Sequence, residues 1–296
     1  MKKAIFLILA SIGFSGVANA NLMVIDTNNG TTLTNNILGS GVTVSNISVI
    51  GNSDQSGTFT NGLTGGIGID EGIVLTTGTA QTAASNNTSD SFTVDTGTGG
   101  NAALSAIVGD DTFNQNVLAF DFTTTTGDLF FDYVFASEEY NEFVYTEFND
   151  VFALFVDGVN IAKAPDNQVV AINTVNCGNP FNASQVTDNC AFYNNNDLDD
   201  GGPFFNIEFD GFTDVFTAEA LNLGLGDHTM AFAIADTGDE AWDSAIFIAG
   251  GSFSGDPGPG PGPGPGPGPS PVPEPSIIAL FALGLFGLGF ARRRKA

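Results

Sequence analysis

Between residues 21 and 255 the chain consists of short apolar runs separated by clusters of Gly, Asn and Asp. In runs such as 117–122, apolar side chains recur at every second position, which is typical of a strand with one buried face. Residues 151–156 are apolar throughout, as in a strand covered on both faces, and the hairpin signal Asp157-Gly158 follows. Apart from residues 102–108, no helical period lasts more than two turns. The pattern predicts an all-β fold, a single β-sandwich or jelly-roll-like domain.

The charges of this chain are distributed very unevenly. Residues 21–256 hold all but one of the 33 acidic residues and a single basic one, Lys163, which gives this region a net charge of −31. Such a surface cannot bind phosphates, so nucleic-acid binding is excluded. It repels itself unless cations are bound or the medium is salty. The 27 Phe residues indicate a large core, and we expect them to be core rather than sugar-stacking platforms.

The N-terminus has the pattern of a secretory signal peptide. Lys2 and Lys3 precede the largely apolar run 4–17, and Ala18-Asn19-Ala20 has the form of a cleavage site. The run is shorter than the roughly 20 residues that a membrane span needs. We therefore expect residues 1–20 to be removed after Ala20 and the domain at 21–255 to be exported.

The C-terminus divides into a linker and a three-part tail. Residues 256–271 are dominated by alternating Pro and Gly, which makes an extended spacer. In residues 272–296, Pro273-Glu274-Pro275 is followed by the apolar stretch 277–291. The basic cluster that ends the tail is Arg292, Arg293, Arg294 and Lys295. The apolar stretch is short for a bilayer core of about 30 Å, which suits a temporary membrane hold.

This tail resembles the PEP-CTERM sorting signal. The resemblance implies processing by an exosortase, a membrane protease of Gram-negative bacteria that make exopolysaccharide. It implies secretion through the inner membrane, transient contact with the membrane through the C-terminal helix, and residence at the cell surface or in the extracellular matrix. The alternative is an ordinary single-span tail anchor.

Cys177 and Cys190 are the only cysteines, and both lie in the exported region. An even number of cysteines in a secreted chain favours a disulfide. A zinc site is the alternative, but it would need further ligands, and His228 is the only histidine.

Oxygen-bearing side chains are concentrated around residues 138–150. Glu138 and Glu139 close one predicted strand, and Asn149 and Asp150 open the next. If these strands pair as a hairpin, the four side chains meet at one end. Hard oxygen donors without a basic neighbour favour Ca²⁺, although a solvated acidic loop has the same composition.

A second acidic loop holds Asp236, Asp239 and Asp243, with Gly238 permitting a sharp bend. It resembles a cation-binding turn, and we assign its three acids to the same Ca²⁺ hypothesis. Trp242 in this loop is either an anchoring residue or a sugar platform. The loop 194–202 comes close to an EF-hand, but its Gly is one residue late and its final Glu is missing.

The sequence contains no nucleophile elbow, no H-E-x-x-H zinc motif and no phosphate-binding loop. We therefore expect a non-enzyme and assign no catalytic residue. A glycoside hydrolase stays open as an alternative, because paired carboxylates suffice for that chemistry.

Several segments together resemble the choice-of-anchor L domain family, in which one extracellular domain is combined with different sorting signals. The matching segments are 41–42, 72–78, 133–140, 148–153, 171–176, 193–196, 233–239 and 243–247. The resemblance covers roughly residues 31–253. It implies export and surface or matrix residence, and it supplies no catalytic residues.

These observations lead to one functional expectation. The protein is a Ca²⁺-stabilised adhesive or structural component of exopolysaccharide, biofilm or floc, with polysaccharide as its partner. The alternatives are a carbohydrate-active hydrolase and a carbohydrate-binding module.

Overall fold

The structure is a computed structural model that describes residues 21–182 and 187–258. The predicted signal peptide, nearly all of the Pro/Gly linker and the predicted sorting signal lie outside the described residues. The strands are β1 (Met23–Asp26), β2 (Val42–Ile50), β3 (Ser56–Thr60), β4 (Gly72–Thr76), β5 (Thr112–Thr124), β6 (Leu129–Ser137), β7 (Val151–Val156), β8 (Val159–Asn160), β9 (Tyr193–Asn195), β10 (Gly211–Thr213), β11 (Phe216–Ala220), β12 (His228–Thr237) and β13 (Ser244–Ala249). The helices are α1 (Gly30–Ile37), α2 (Gly62–Gly65) and α3 (Ala102–Val108), with 3₁₀ turns at Ala80–Ala84 and Cys190–Phe192.

The strands form two antiparallel sheets that pack face to face. The large sheet has the order β1-β3-β4-β13-β6-β10-β9, and β11 pairs with the first half of β6. The small sheet has the order β2-β5-β12-β7-β8. The prediction of an all-β sandwich is confirmed.

Aromatic rings fill the space between the sheets. Phe131 of the large sheet meets Phe232 of the small sheet edge-on, with ring centroids 5.4 Å apart. Phe253 stacks on Phe131 at 5.6 Å and meets Phe120 and Phe122 edge-on. All five rings are buried, so for them the expected core role is confirmed. Burying one such ring contributes about 1.5–3 kcal/mol.

Each sheet is also covered on its outer face. Phe247 of the large sheet is buried with Phe209, which lies in the loop before β10. Leu104 of α3 packs on Val151 and Ala153 of β7 in the small sheet. The other side of β7 faces the main core. The strand is therefore buried on both faces, as its sequence predicts.

The hairpin between β6 and β7 that the sequence left open does not form. The two strands lie in different sheets, β6 beside β13 and β7 beside β12. Phe135 and Phe152, one from each strand, stack with ring centroids 5.3 Å apart in the main core. Both strands direct large apolar side chains into the same core, so they face each other across it instead of pairing edge to edge.

The sequence pattern predicted the hairpin turn after β7 and allowed helix α3, but it did not predict helix α1. The hairpin at Asp157-Gly158 joins β7 to β8, and both turn residues have positive φ as that turn requires. Helix α3 occupies residues 102–108, where the sequence allowed a helix. Helix α1 was not expected, because its two turns carry only a short apolar period, Leu33 and Ile37.

Among the helices of the described residues, none combines the length and the apolar character that crossing a bilayer requires. The predicted apolar stretch 277–291 lies outside this part of the chain.

Candidate metal centre

Three neighbouring strands of the large sheet bring acidic residues together at one end of the sandwich, which we call the acidic end. Ser137 at the end of β6 is opposite Gly211 of β10 on one side and Ser244 of β13 on the other. One step further, the backbone N–H of Glu138 still donates to the carbonyl of Asp243 (3.0 Å). Because side chains alternate along a strand, Glu138 and Glu139 leave β6 on opposite faces of the sheet.

Glu139 lies on the inner face, where it joins Asp150 and Asp236; we call these three residues the inner cluster. Asp150 comes directly before β7, and Asp236 lies near the end of β12 in the same small sheet. The inner cluster therefore spans both sheets. All three side chains are completely buried.

Two members of the inner cluster are partly satisfied by hydrogen bonds. The carboxylate of Asp150 accepts from the backbone N–H of Thr237 (2.9 Å) and from the hydroxyl of Ser244 (2.7 Å). One oxygen of Asp236 accepts from the side-chain amide of Asn114 (3.1 Å). The other oxygen of Asp236 has no donor in the described part of the chain.

Glu139 is the least satisfied of the three. Neither of its carboxylate oxygens has a hydrogen-bond partner among the described residues. Burial, followed by repulsion from Asp150, raises the pKa of Glu139 to about 11. A buried carboxyl of this kind is either protonated or neutralised by a bound cation.

Burial has the same effect on the other two members of the inner cluster. It raises the pKa of Asp150 to about 8, against the hydrogen bonds from Ser244 and Thr237. Burial and then repulsion from Asp150 raise the pKa of Asp236 well above its ordinary value. All three carboxyls therefore resist carrying their charges together without a cation.

On the outer face of the large sheet, Asp210, Glu138 and Asp243 stand side by side; we call them the outer row. They follow the register of β10, β6 and β13, in which Phe212, Ala136 and Ala245 face the outer apolar cluster. Residues two positions along a strand share a face, so these carboxylates extend the same face beyond the strands.

Burial dominates the electrostatics of the outer row as well. It raises the pKa of Glu138 well above its ordinary value, and repulsion from Asp210 adds to this. Burial also raises the pKa of Asp210 to about 9 and that of Asp243 to about 7.

Asp243 belongs to the outer row and is also close enough to the inner cluster to repel Asp150. One of its carboxylate oxygens accepts from the backbone N–H of Val94 (3.0 Å). Gly78 lies next to it, and a Cβ at that position would collide with the other oxygen. The position therefore requires glycine, because the carboxylate fills the space that a side chain would need.

Asp210 and Asn87 belong to the acidic end, although the sequence analysis did not nominate them. Asp210 accepts from the side-chain amide of Asn87 (2.6 Å), and both are buried. The only signal near Asp210 is the alternation Glu208-Phe209-Asp210 before Gly211. Asn87 lies in a polar loop that nothing in the sequence connects with this site.

Asn149 and Asp239, which the sequence nominates as Ca²⁺ ligands, make hydrogen bonds outside the inner cluster. The side-chain oxygen of Asn149 accepts from the backbone N–H of Asn173 (2.9 Å). Asp239 is only partly buried and accepts from the backbone N–H of Ala241 (3.0 Å). Neither side chain is hydrogen-bonded to the inner cluster, although the charge of Asp239 adds to the repulsion at Glu139.

Trp242 anchors its loop. Its ring lies 4.7 Å from that of Phe143, and its indole N–H donates to the carbonyl of Asp90 (3.2 Å). The loop 194–202 is organised around the buried Asp197, which accepts from the backbone N–H groups of Asp199 (2.7 Å) and Asp200 (3.3 Å). The carboxylate of Asp197 therefore accepts hydrogen bonds that form the turn of this loop.

Within residues 21–182 and 187–258, no three His, Cys, Asp or Glu side chains stand close enough to hold a metal ion by themselves. A Ca²⁺ ion at the acidic end therefore needs amide, hydroxyl or backbone oxygens and water besides carboxylates. Ca²⁺ accepts all of these, with six to eight ligands in flexible geometry.

The lone histidine is remote from the acidic end. His228 begins β12, whereas Asp236 lies near the end of that strand. The Nδ1 atom of His228 lies 2.8 Å from a carboxylate oxygen of Asp157 in the turn between β7 and β8. Cys177 and Cys190 form the predicted disulfide, which closes the loop between them.

The sandwich and its anchored acidic loops define an all-β domain. Residues 22–254 match the choice-of-anchor L domain, and the chain belongs to that family. Residues 271–295 match the PEP-CTERM protein-sorting motif. The protein is thus an exosortase-dependent extracellular protein, exported to the cell surface or extracellular space of a Gram-negative bacterium.

Both matching families are sorting or surface domains. No curated protein and no solved structure matches the chain.

Proposed function

We propose that this protein is a non-enzymatic structural or adhesive component of the exopolysaccharide matrix, of biofilm or of floc, and that Ca²⁺ bound at the inner cluster stabilises it. One observation carries the metal part of the proposal. Glu139 is completely buried, and both of its carboxylate oxygens lack a donor among the described residues. An isolated buried carboxylate is so costly that a native fold pairs it, protonates it or uses it to bind a metal.

The chemistry of the neighbouring groups favours Ca²⁺ over other metals. Glu139, Asp150 and Asp236 offer only oxygen, and the hydroxyls of Ser137 and Ser244 lie beside them (Ser–Ser oxygen distance 2.8 Å). Hard oxygen donors suit Ca²⁺ better than zinc or copper. Extracellular modules bind Ca²⁺ with Kd values of about 10⁻⁴–10⁻³ M, which matches an exported protein.

The position of the acidic end supports an adhesive role. The described chain leaves the domain beside Ser254, which bridges to Phe130 at the start of β6, whereas the acidic end lies beyond Ser137 at the finish of that strand. Seven residues of strand separate Phe130 from Ser137 by about 23 Å. The acidic end therefore lies on the side of the domain opposite the C-terminal tail, where its loops are free to meet a partner while buried Ca²⁺ keeps them folded.

The same geometry weighs against the two alternatives. A glycosidase needs two carboxyls that flank a sugar bond, and Glu138 and Glu139 are completely buried on opposite faces of a sheet. A sugar-binding module would use an exposed aromatic platform, and Trp242 is instead engaged by Phe143 and Asp90. Incubation with the host exopolysaccharide, followed by a reducing-end assay, tests the hydrolase, and a pull-down with Trp242→Ala tests the module.

A deletion strain tests the matrix role. We expect the strain to aggregate less and to retain less exopolysaccharide, and the wild-type gene to restore both. Glu139→Gln should restore them only in part, while Glu219→Gln, on an exposed position of β11, should restore them fully. Unchanged aggregation and retention in the deletion strain would exclude the proposed role.

A further inference from the structure

The outer face of the large sheet carries a second group of unsatisfied oxygens. Both carboxylate oxygens of Glu138, one oxygen of Asp210 and the side-chain oxygen of Asn87 have no hydrogen-bond partner among the residues that the structure describes. Glu138 and Asp210 are completely buried, and Asn87 is 4% exposed. A native fold leaves few buried polar atoms unpaired, so several of them in one place indicate a binding site for an ion.

The residues that carry these atoms lie together on the outer face of the large sheet. Continuing the pairing of Ser137 with Gly211 puts Glu138 directly opposite Asp210, on the same face of the sheet. The amide nitrogen of Asn87 donates to the other oxygen of Asp210 (2.6 Å) and to the carbonyl of Asn196 (3.1 Å). These two hydrogen bonds fix the amide group, and its buried oxygen is the atom left without a partner.

We propose that Glu138, Asp210 and Asn87 bind a second Ca²⁺ ion, separated from the inner cluster by the large sheet itself. Two carboxylates neutralise the ion, the amide oxygen is a third ligand, and backbone oxygens and water complete the shell. The site needs only two acidic side chains, so it does not require three of them within reach of one ion.

The second site has a structural consequence that the inner cluster does not have. Asn87 lies in the segment 85–97, which contains no helix or strand. The segment is attached to acids on both sides of the site, because Ser85 donates to Glu208 (2.6 Å) and Val94 donates to Asp243 (3.0 Å). Its centre is held by hydrogen bonds as well, because the carbonyl of Phe92 accepts from the backbone N–H of Asp243 (3.1 Å). A cation bound through Asn87 would therefore add a further attachment of this segment to the sheet.

The inference rests on the proposed function only in its premise that the exported protein meets free Ca²⁺. The test is the number of Ca²⁺ ions bound by the exported protein, measured by equilibrium dialysis with elemental analysis. We expect two ions in the wild type, one in Asp210→Asn, one in Glu139→Gln, and two in the control Glu219→Gln. Asp210→Asn keeps the shape of the side chain and removes its charge; Glu138→Gln is the second variant should Asp210→Asn not fold.

The outcomes separate the two proposals. One ion in the wild type that is lost in Glu139→Gln and kept in Asp210→Asn overturns the second site and leaves the proposed function intact. One ion that is lost only in Asp210→Asn or Glu138→Gln supports the second site and contradicts the inner one. No ion in the wild type overturns both.

Limited proteolysis gives an independent readout of the same site. Segment 85–97 contains no Lys or Arg, so chymotrypsin, which cleaves after Phe92, is the suitable probe. At Ca²⁺ about one hundred times its Kd, binding should slow cleavage there about 100-fold in the wild type. Equal protection in Asp210→Asn would contradict the assignment of this site.

Discussion

Glu138 and Glu139 are neighbours in the chain, yet their side chains face different groups of acidic residues on opposite faces of the large sheet. The alternation of side chains at the end of β6 directs Glu138 to Asp210 and Glu139 to Asp150. The sequence nominates Glu139, Asp150, Asp236 and Asp243 because they lie in dense acidic loops, and the structure places all four at the acidic end. It could not separate the two glutamates, and it gave no sign of Asn87, because those assignments depend on which strands become neighbours.

The buried carboxyls predict an unusual pH dependence. Their pKa values in the folded protein, about 8 for Asp150 and about 7 for Asp243, lie above the ordinary values of the unfolded chain. The folded state therefore binds protons more tightly, so this stabilisation is complete below pH about 4 and is lost as the pH rises toward 7–8. In EDTA we expect the free energy of unfolding to fall as the pH rises from 5, by about 1.4 kcal/mol per pH unit for each such carboxyl, up to pH about 7 for Asp243 and about 8 for Asp150.

Urea denaturation at several pH values, with and without Ca²⁺, measures this dependence. Ca²⁺ should flatten it, because the ion replaces the protons. Stability in EDTA that rises over this pH range would contradict the burial of these groups.

Ser244 offers a second prediction at the residue scale. Its hydroxyl donates to Asp150 (2.7 Å) and lies 2.8 Å from the hydroxyl of Ser137. Ser244→Ala leaves Asp150 without that donor, and we expect a loss of about 1–3 kcal/mol in the free energy of unfolding. The exposed Ser45→Ala on β2 is the matched control and should change stability by less than about 0.5 kcal/mol. Equal effects of the two substitutions would show that the Ser244 network does not support Asp150.

Among the elements, β7 shows best how local pattern and long-range packing divide the problem. Its apolar run and its turn at Asp157-Gly158 were predictable, because both depend on neighbouring residues. Its partner was not, because pairing with β12 instead of β6 is decided by the core that forms between the sheets. Asp150 precedes β7 directly, so the position of this strand also fixes one member of the inner cluster.

Helix α3 supports β7 from outside, which gives a prediction at the element scale. Leu104 is fully buried against Val151 and Ala153. Leu104→Ala leaves a cavity there, and we expect a loss of about 2–5 kcal/mol in urea denaturation. Val159→Ala, at an exposed position of β8, should cost far less. A loss below about 1 kcal/mol for Leu104→Ala would mean that α3 does not brace this strand.

For the whole molecule, the net charge of −31 in residues 21–256 is the dominant electrostatic fact. Self-repulsion of this size destabilises the compact state, and salt screens it. We expect NaCl to raise the thermal midpoint in EDTA, and millimolar Ca²⁺ to raise it further at equal ionic strength. Identical midpoints in Ca²⁺ and NaCl at matched ionic strength would reduce the effect to screening alone.

The central claim is that a divalent cation neutralises the buried carboxylates of the acidic end. The thermal midpoint of the exported protein at pH 7, in EDTA and in millimolar Ca²⁺, tests it most directly, with Glu139→Gln and the exposed control Glu219→Gln measured alongside. With a Kd of about 10⁻⁴ M, millimolar Ca²⁺ is about ten times Kd and stabilises by about 1.4 kcal/mol, which predicts a rise of about 3–6 °C in the wild type and in Glu219→Gln. Glu139→Gln should show a clearly smaller rise, with a midpoint in EDTA above that of the wild type, because glutamine keeps the shape of the carboxyl and needs no proton at pH 7. A wild-type midpoint that Ca²⁺ leaves unchanged would contradict the account.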